Sequence, residues 1–143
     1  MEFKISVIIT TNNRNSLLKE TLTSLLAQSF QSWEALIVDN NCSDNSAYTT
    51  VNNFKDERLR YLTKGRNLGE CGGRNFGILN SCGQYVCYLD DDDLLPEYSL
   101  SSRYEFAQRY LDSGMIYGEY KKFTTIDNIE LNPVNDENEL LKK

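Results

Sequence analysis

The sequence predicts an α/β domain, a mainly parallel sheet flanked by helices on both faces. Three observations carry this. Short β-branched apolar runs alternate with helical periodicity through at least four units. The runs are continuous rather than alternating, as strands buried on both faces require. Polar clusters follow the first, second and fourth runs directly, where parallel strands present their C-terminal ends. At 143 residues the chain fits one domain with a real core.

The elements follow in order. Lys4 to Thr10 reads as a buried strand. Thr11 to Asn15 is a polar turn in which Asn15 is placed to cap the next helix. That helix is marked by Leu18, Leu22, Leu25 and Leu26. Ala35 to Val38 is a second strand, ending at Asp39-Asn40-Asn41. Ser43 or Asp44 caps a short helix reaching about Phe54. Arg58 to Thr63 alternates, as a less buried third strand does. The glycine-rich Gly65–Gly77 stretch enters a helix that ends near Ser81. Tyr85 to Leu89 is the fourth strand, leading straight into Asp90-Asp91-Asp92-Asp93. Pro96 suits the first turn of a helix running to about Tyr110. Gly114 stops it, and Met115 to Tyr120 reads as a fifth strand. From Asp127 the chain is polar and reads as a loop or frayed tail, so residues 1–126 form the folded domain and 127–143 the tail.

Composition removes several classes of function. The net charge of −6 argues against a general nucleic-acid binder, so no nucleic-acid partner is expected. The chain has no histidine, which excludes Ser-His-Asp, Cys-His and HExxH chemistry. Cys42, Cys71, Cys82 and Cys87 form no CxxC pair, so a structural zinc site is not expected. Free buried thiols in a reducing cytoplasm account for them most simply. No apolar run approaches the ~20 residues of a membrane span. Met1 to Lys4 starts a strand rather than a signal peptide. The expectation is a cytoplasmic protein, peripheral at the inner membrane face where it meets a membrane at all.

The carboxylate run has two readings. It is a solvated acidic loop capping the next helix, or a site for a hard divalent cation, Mg²⁺ or Mn²⁺. Like charges packed together are costly unless a cation sits among them. Thr10 to Asn12, Asp39-Asn40 and Asp90 to Asp93 all fall at strand ends on one edge, which favours a single site. The glycine segment Gly65 to Arg74 is neither a P-loop nor a dinucleotide fingerprint. It is a loop permitting a tight helix–sheet approach, or a segment whose Arg66 or Arg74 meets a bound pyrophosphate. A receiver-type phosphorylation domain would show an acidic pair after the first strand, where Thr-Thr-Asn-Asn stands.

These pieces together resemble a known family. Ser6 to Arg14, then Leu22, Ser24 to Leu26, Gln28 to Phe30, Trp33-Glu34 and Ile37 to Ser46, resemble the opening of family 2 glycosyltransferases of the GT-A fold. Asn67, Gly69, Gly73 to Ile78, Gly83 to Tyr85, Leu89 to Asp93 and Pro96 match that family's middle section in order and spacing. The resemblance covers about residues 3–120. It implies a Rossmann-like nucleotide-binding half that takes a nucleotide-sugar donor, UDP-linked by default. It also implies sugar transfer to the hydroxyl of a saccharide or glycoconjugate acceptor, as in polysaccharide assembly. Thr10, Asn12, Asp39, Asn40, Asn67 and Arg74 would hold the nucleotide together with Asp90 and Asp91. Asp90 to Asp92 corresponds to the DXD motif, with Asp92 and Asp90 toward Mn²⁺ or Mg²⁺. The family often carries an aromatic at Asn12 and a second Asp at Asn40.

Family members usually continue into an acceptor-binding half that holds the catalytic carboxylate. Glu119 and Asp127 are the acids nearest the fifth strand, and neither sits in a matching motif, so the catalytic residue stays unassigned. The expectation is a donor-binding half. The alternative is a catalytically incomplete nucleotide-binding or interaction domain, whose exposed apolar face would favour a homo-oligomer. A nucleotidyltransferase would want a basic glycine-rich loop after the first strand, which Thr11 to Asn15 does not supply.

Overall fold

The computed structural model describes residues 3–41, 43–118 and 120–122. Four strands and four helices alternate as β1 (Ile5–Thr11), α1 (Asn15–Leu26), β2 (Trp33–Asp39), α2 (Ser46–Asn52), β3 (Leu59–Thr63), α3 (Gly69–Leu79), β4 (Tyr85–Tyr88) and α4 (Ser99–Arg109). The strands form one sheet in the order β3-β2-β1-β4, and every pairing is parallel. The α/β expectation, with helices on both faces, is met.

β1 and β2 are central and buried along nearly their whole length, as their unbroken apolar runs require. Alternation then assigns the faces. Ile5, Val7, Ile9, Ala35 and Ile37 join Leu18, Leu22 and Leu25 of α1, Ala47 and Val51 of α2 and Leu100 of α4 in one core. Ile8 points to the other face, where α3 lies. A Cβ built on Gly77 would stand 2.5 Å from Ile8 Cγ2, and one on Gly73 would stand 2.9 Å from Thr10 Cγ2. Glycine therefore lets α3 lie directly on the strands, the tight helix–sheet approach allowed for in the sequence.

Two buried polar groups fix the layers. Gln28 is almost fully buried beyond the end of α1. Its amide accepts from Leu100 N–H at 3.0 Å and donates to the Pro96 carbonyl at 2.7 Å, tying α1 to the start of α4. At the amino edge of the sheet, Glu34 is fully buried. It accepts from Ser6 Oγ and Cys82 N–H on one oxygen and from Arg60 Nη1 on the other. Burial alone would raise the Glu34 pKa. The three donors and the Arg60 charge outweigh it and hold the carboxyl below its ordinary value.

Several expectations are corrected. Asn15 is the first residue of α1 rather than its cap; Arg14 holds the cap position and makes no side-chain capping bond. Asn45 is the cap of α2, although Asp44 Oδ1 does accept from Ser46 N–H at 2.9 Å. Pro96 stands before α4 rather than in its first turn, because residues 97–98 form a separate turn. No fifth strand forms among the described residues of Met115–Tyr120. Met115 and Tyr117 are 78% and 67% exposed, so nothing buries the side chains a strand would need covered. Cys71, Cys82 and Cys87 are free thiols, but Cys71 and Cys82 are exposed; Cys82 lies in the turn before β4, outside the sheet. Cys87 faces inward and burial pushes its thiol pKa up. Cys42, Glu119, Asp127 and the expected tail lie outside the described residues.

The Glu34 network generates a pH prediction. A carboxyl held low in the folded state stabilises the fold above its ordinary value of 4.5, and that stability is lost as pH falls below it. At pH 7, Glu34→Gln should cost about 2 kcal/mol, since a charge-assisted set of bonds is weakened in a buried place. In thermal melts the gap between wild type and variant should narrow progressively as pH falls below 4.5, while groups present in both proteins, such as Asp56, add the same acid response to each. A gap constant across that range would contradict the assignment.

Candidate functional site

Strand register brings four segments to the carboxyl edge of the sheet. Thr11 pairs with Asp39, and Asp39 with Thr63. Ile8 pairs with Tyr88, and Leu89 N–H continues to the Ile8 carbonyl, so Asp90 comes level with Thr10. Between these ends opens a cleft of about 430 Å³. Thr10, Thr11, Asn12 and Arg14 line it from the β1–α1 turn, Asn40 from the end of β2, and Asn67, Gly69 and Glu70 from the approach to α3. Asp90, Asp91 and Asp92 close its remaining side. A cleft of this size and edge position suits a small polar ligand.

The sequence-predicted residues divide by what they do. Thr10, Asn12, Asn40, Asn67, Asp90, Asp91 and Asp92 all line the cleft. Asp39 does not. It is buried, and its oxygens accept from Asn41 N–H at 2.7 Å and from the Tyr61 hydroxyl at 2.8 Å. Arg74 stands behind the acids and reaches Asp90 at 2.7 Å. Asn40 is engaged on both ends of its amide. Its oxygen accepts from Leu68 N–H at 3.1 Å and its nitrogen donates to the Gly69 carbonyl at 3.2 Å. It therefore pins the glycine segment against the end of β2. Asn67 Oδ1 accepts from Gly69 N–H at 2.7 Å, and Gly69 takes φ +70°, so this turn into α3 needs glycine there.

Arg14, Gly69 and Glu70 line the cleft without a site role read from sequence, and Thr11 had only its place in the Thr10 to Asn12 cluster. Thr11 Oγ1 is buried beside the cleft without a hydrogen-bond partner. The signal for Arg14 was its place in the polar turn after β1, a position any strand-end ligand must pass.

Charge in the cluster is shared between two arginines. Arg74 Nη2 joins Glu70 at 2.8 Å and Asp90 at 2.7 Å; the Asp90 bond is the main reason its pKa is raised. Arg14 Nη1 meets Asp91 at 3.2 Å and Asp92 at 3.0 Å. Asp91 is almost buried, whereas the Asp90 and Asp92 side chains are 52% and 45% exposed. Asp93 is pushed up by partial desolvation and by the like charges of Asp90 and Asp92. Among the described residues no group of three or more acidic or cysteine side chains closes into an ion cage. The donors on offer are the open carboxylates of Asp90 and Asp92. Two hard oxygen ligands with open positions fit Mg²⁺ or Mn²⁺ when a phosphate-bearing ligand completes the shell.

The sheet order and the cleft at its carboxyl edge place the site where open parallel α/β sheets bind ligands. Glycosyl transferase family 2 matches residues 6–141, and the chain belongs to that family. A Campylobacter jejuni GalNAc(5)-diNAcBac-PP-undecaprenol β-1,3-glucosyltransferase is 37% identical over 101 residues, 69% of this chain and 33% of its own length. The Staphylococcus aureus poly(ribitol-phosphate) β-N-acetylglucosaminyltransferase TarP is 33% identical over 120 residues, 82% of this chain and 36% of its own. The structure of S. aureus TarS residues 1–349 in complex with UDP-GlcNAc superposes with TM-score 0.70 at 26% identity, over 76% of this chain and 32% of that one. The fold is that of the GT-A glycosyltransferases. The chain spans about a third of the length of these relatives. No helix among the described residues is long and apolar enough to cross a membrane.

The Asn40 contacts generate a prediction about the position where the family often has an acid. Asn40→Asp keeps the acceptor for Leu68 N–H but sets a carboxylate oxygen against the Gly69 carbonyl. It should lower stability by about 1–2 kcal/mol in urea unfolding, through one lost bond and one new repulsion. A neutral or stabilising result would mean the amide does not pin the segment.

Proposed function

We propose that the cleft binds the nucleoside diphosphate of a sugar donor, UDP-linked, and that the chain supplies the donor side of sugar transfer to an acceptor hydroxyl. One observation carries this: the polar ends of β1 and β2, the α3 turn and the acid cluster line a single cleft, with two open carboxylates at one side. Support comes from the family and from the TarS complex with UDP-GlcNAc. In this reading Thr10, Asn12 and Asn67 flank the nucleoside. Asp39 and Asn40 hold that wall from behind through the bonds already described. Asp90 and Asp91 meet the ribose and diphosphate side, and Asp92 with Asp90 holds Mn²⁺ or Mg²⁺. When bound, the ion neutralises charge developing on the departing diphosphate. Arg74 holds Asp90 in place through their 2.7 Å ion pair. The acceptor is a saccharide or glycoconjugate, a reading supported by the poly(ribitol-phosphate) and the undecaprenol-linked saccharide in the relatives' names.

A second reading, a nucleotide-binding partner domain, is favoured by the exposure of Leu79, Leu111, Met115, Tyr117 and Tyr120. Hydrolysis of a UDP-sugar by the purified chain would separate the two.

Calorimetric titration tests the site itself. UDP should bind the purified chain about tenfold more tightly with Mn²⁺ than without, and Asp92→Ala should remove that gain. Binding of UDP that ignores both the ion and the substitution would overturn the assignment of the acids.

A further inference from the structure

Arg14 has no part in the roles assigned above, yet it lines the cleft and touches the acids at its mouth. A single nitrogen, Nη1, donates to Asp91 Oδ1 at 3.2 Å and to Asp92 Oδ2 at 3.0 Å. Its side chain is 53% exposed, against 6% for Asp91 and 45% for Asp92. It sits immediately before α1 (Asn15–Leu26), on the turn that forms one wall of the cleft. Two consequences follow. Asp92, one of the two exposed carboxylates, already has a guanidinium on its Oδ2, so an incoming ion competes with Arg14 for it. The contacts also engage one end of a five-donor planar fork, the group best matched to paired phosphate oxygens.

We propose that Arg14 is the internal counter-ion of the acid cluster and, once a divalent ion takes Asp92, the residue that turns its fork onto the diphosphate. This rests on the reading of the cleft as a nucleoside-diphosphate site. The exchange makes and breaks no covalent bond. It moves one positive charge from carboxylate to phosphate as another arrives. A bare ion competes with the guanidinium for the carboxylate, and nothing receives the guanidinium if it leaves. An ion arriving with a diphosphate gives the guanidinium a new partner, so ion and nucleotide should help each other to bind.

The test is calorimetry on the purified chain with MnCl₂ alone, then with UDP at saturating MnCl₂, comparing wild type with Arg14→Gln. The two effects should have opposite signs. The variant should bind bare Mn²⁺ about fivefold more tightly, because an exposed ion pair no longer competes. It should bind UDP with Mn²⁺ about tenfold more weakly, because a charge-assisted phosphate contact is gone. Loss of affinity in both titrations would mean Arg14 merely props up the Asp90–Asp93 turn and would overturn the proposal, as would no change in either. Arg14→Lys supplies the check if the glutamine variant does not fold. It should keep bare-ion affinity within about twofold and bind UDP more weakly, since it carries charge without the fork. Unchanged UDP affinity in the lysine variant would remove the phosphate role. If wild type binds no UDP, the nucleotide reading fails and takes the phosphate role with it. The bare-Mn²⁺ comparison still decides the counter-ion role: tighter binding in the variant supports it, and equal or weaker binding overturns it.

Discussion

Four consecutive carboxylates at the end of a strand repel one another, and much of the carboxyl edge is arranged around offsetting that repulsion. The two arginines that do so come from different elements. Arg14 stands at the start of α1, and Arg74 lies on α3 and is partly buried. Each takes a share: Arg14 meets Asp91 and Asp92, and Arg74 meets Asp90. The turn itself is held by its backbone, with Asp93 N–H on the Asp90 carbonyl and Thr21 Oγ1 on the Asp93 carbonyl. Charge, turn and both helices are thus coupled at one edge.

That coupling depends on how closely α3 approaches the sheet. Arg74 belongs to the same helix as Gly73 and Gly77, whose missing side chains leave room for Thr10 and Ile8. A helix held farther out would carry Arg74 away from Asp90. The glycines weaken α3 as a helix, and packing on β1 and β2 offsets this. Asn40 then fixes the turn at the head of the helix. The opposite edge carries the Glu34 network, in which both carboxylate oxygens are engaged, whereas the carboxyl edge presents the half-exposed carboxylates of Asp90 and Asp92.

How much of this the sequence discloses follows from what each residue depends on. β1 and β2 are legible because a strand covered on both faces must be apolar throughout, and Ile5 to Ile9 and Ala35 to Val38 are. The convergence of strand ends follows from parallel topology alone, which is why nearly all the expected lining residues meet in one cleft. Local grammar fails where tertiary contacts decide. Met115 to Tyr117 has the composition of a strand but no neighbour to pair with among the described residues. Asp39 accepts from the Tyr61 hydroxyl on another strand and from Asn41 N–H, and the Tyr61 contact is one that no local pattern encodes. Arg14 reaches acids 77 and 78 positions away, a pairing no local pattern encodes.

The central claim is that a divalent ion and a nucleoside diphosphate meet at the Asp90–Asp92 end of the cleft. Paramagnetic broadening of backbone amide signals by substoichiometric Mn²⁺ in the presence of UDP tests it most directly. The account predicts loss of signals from residues 10–12, 67–70 and 89–93, with those of residues 32–34 and 82–83 at the far edge preserved. Broadening centred on the far edge, or spread evenly over the acidic surface, would contradict it.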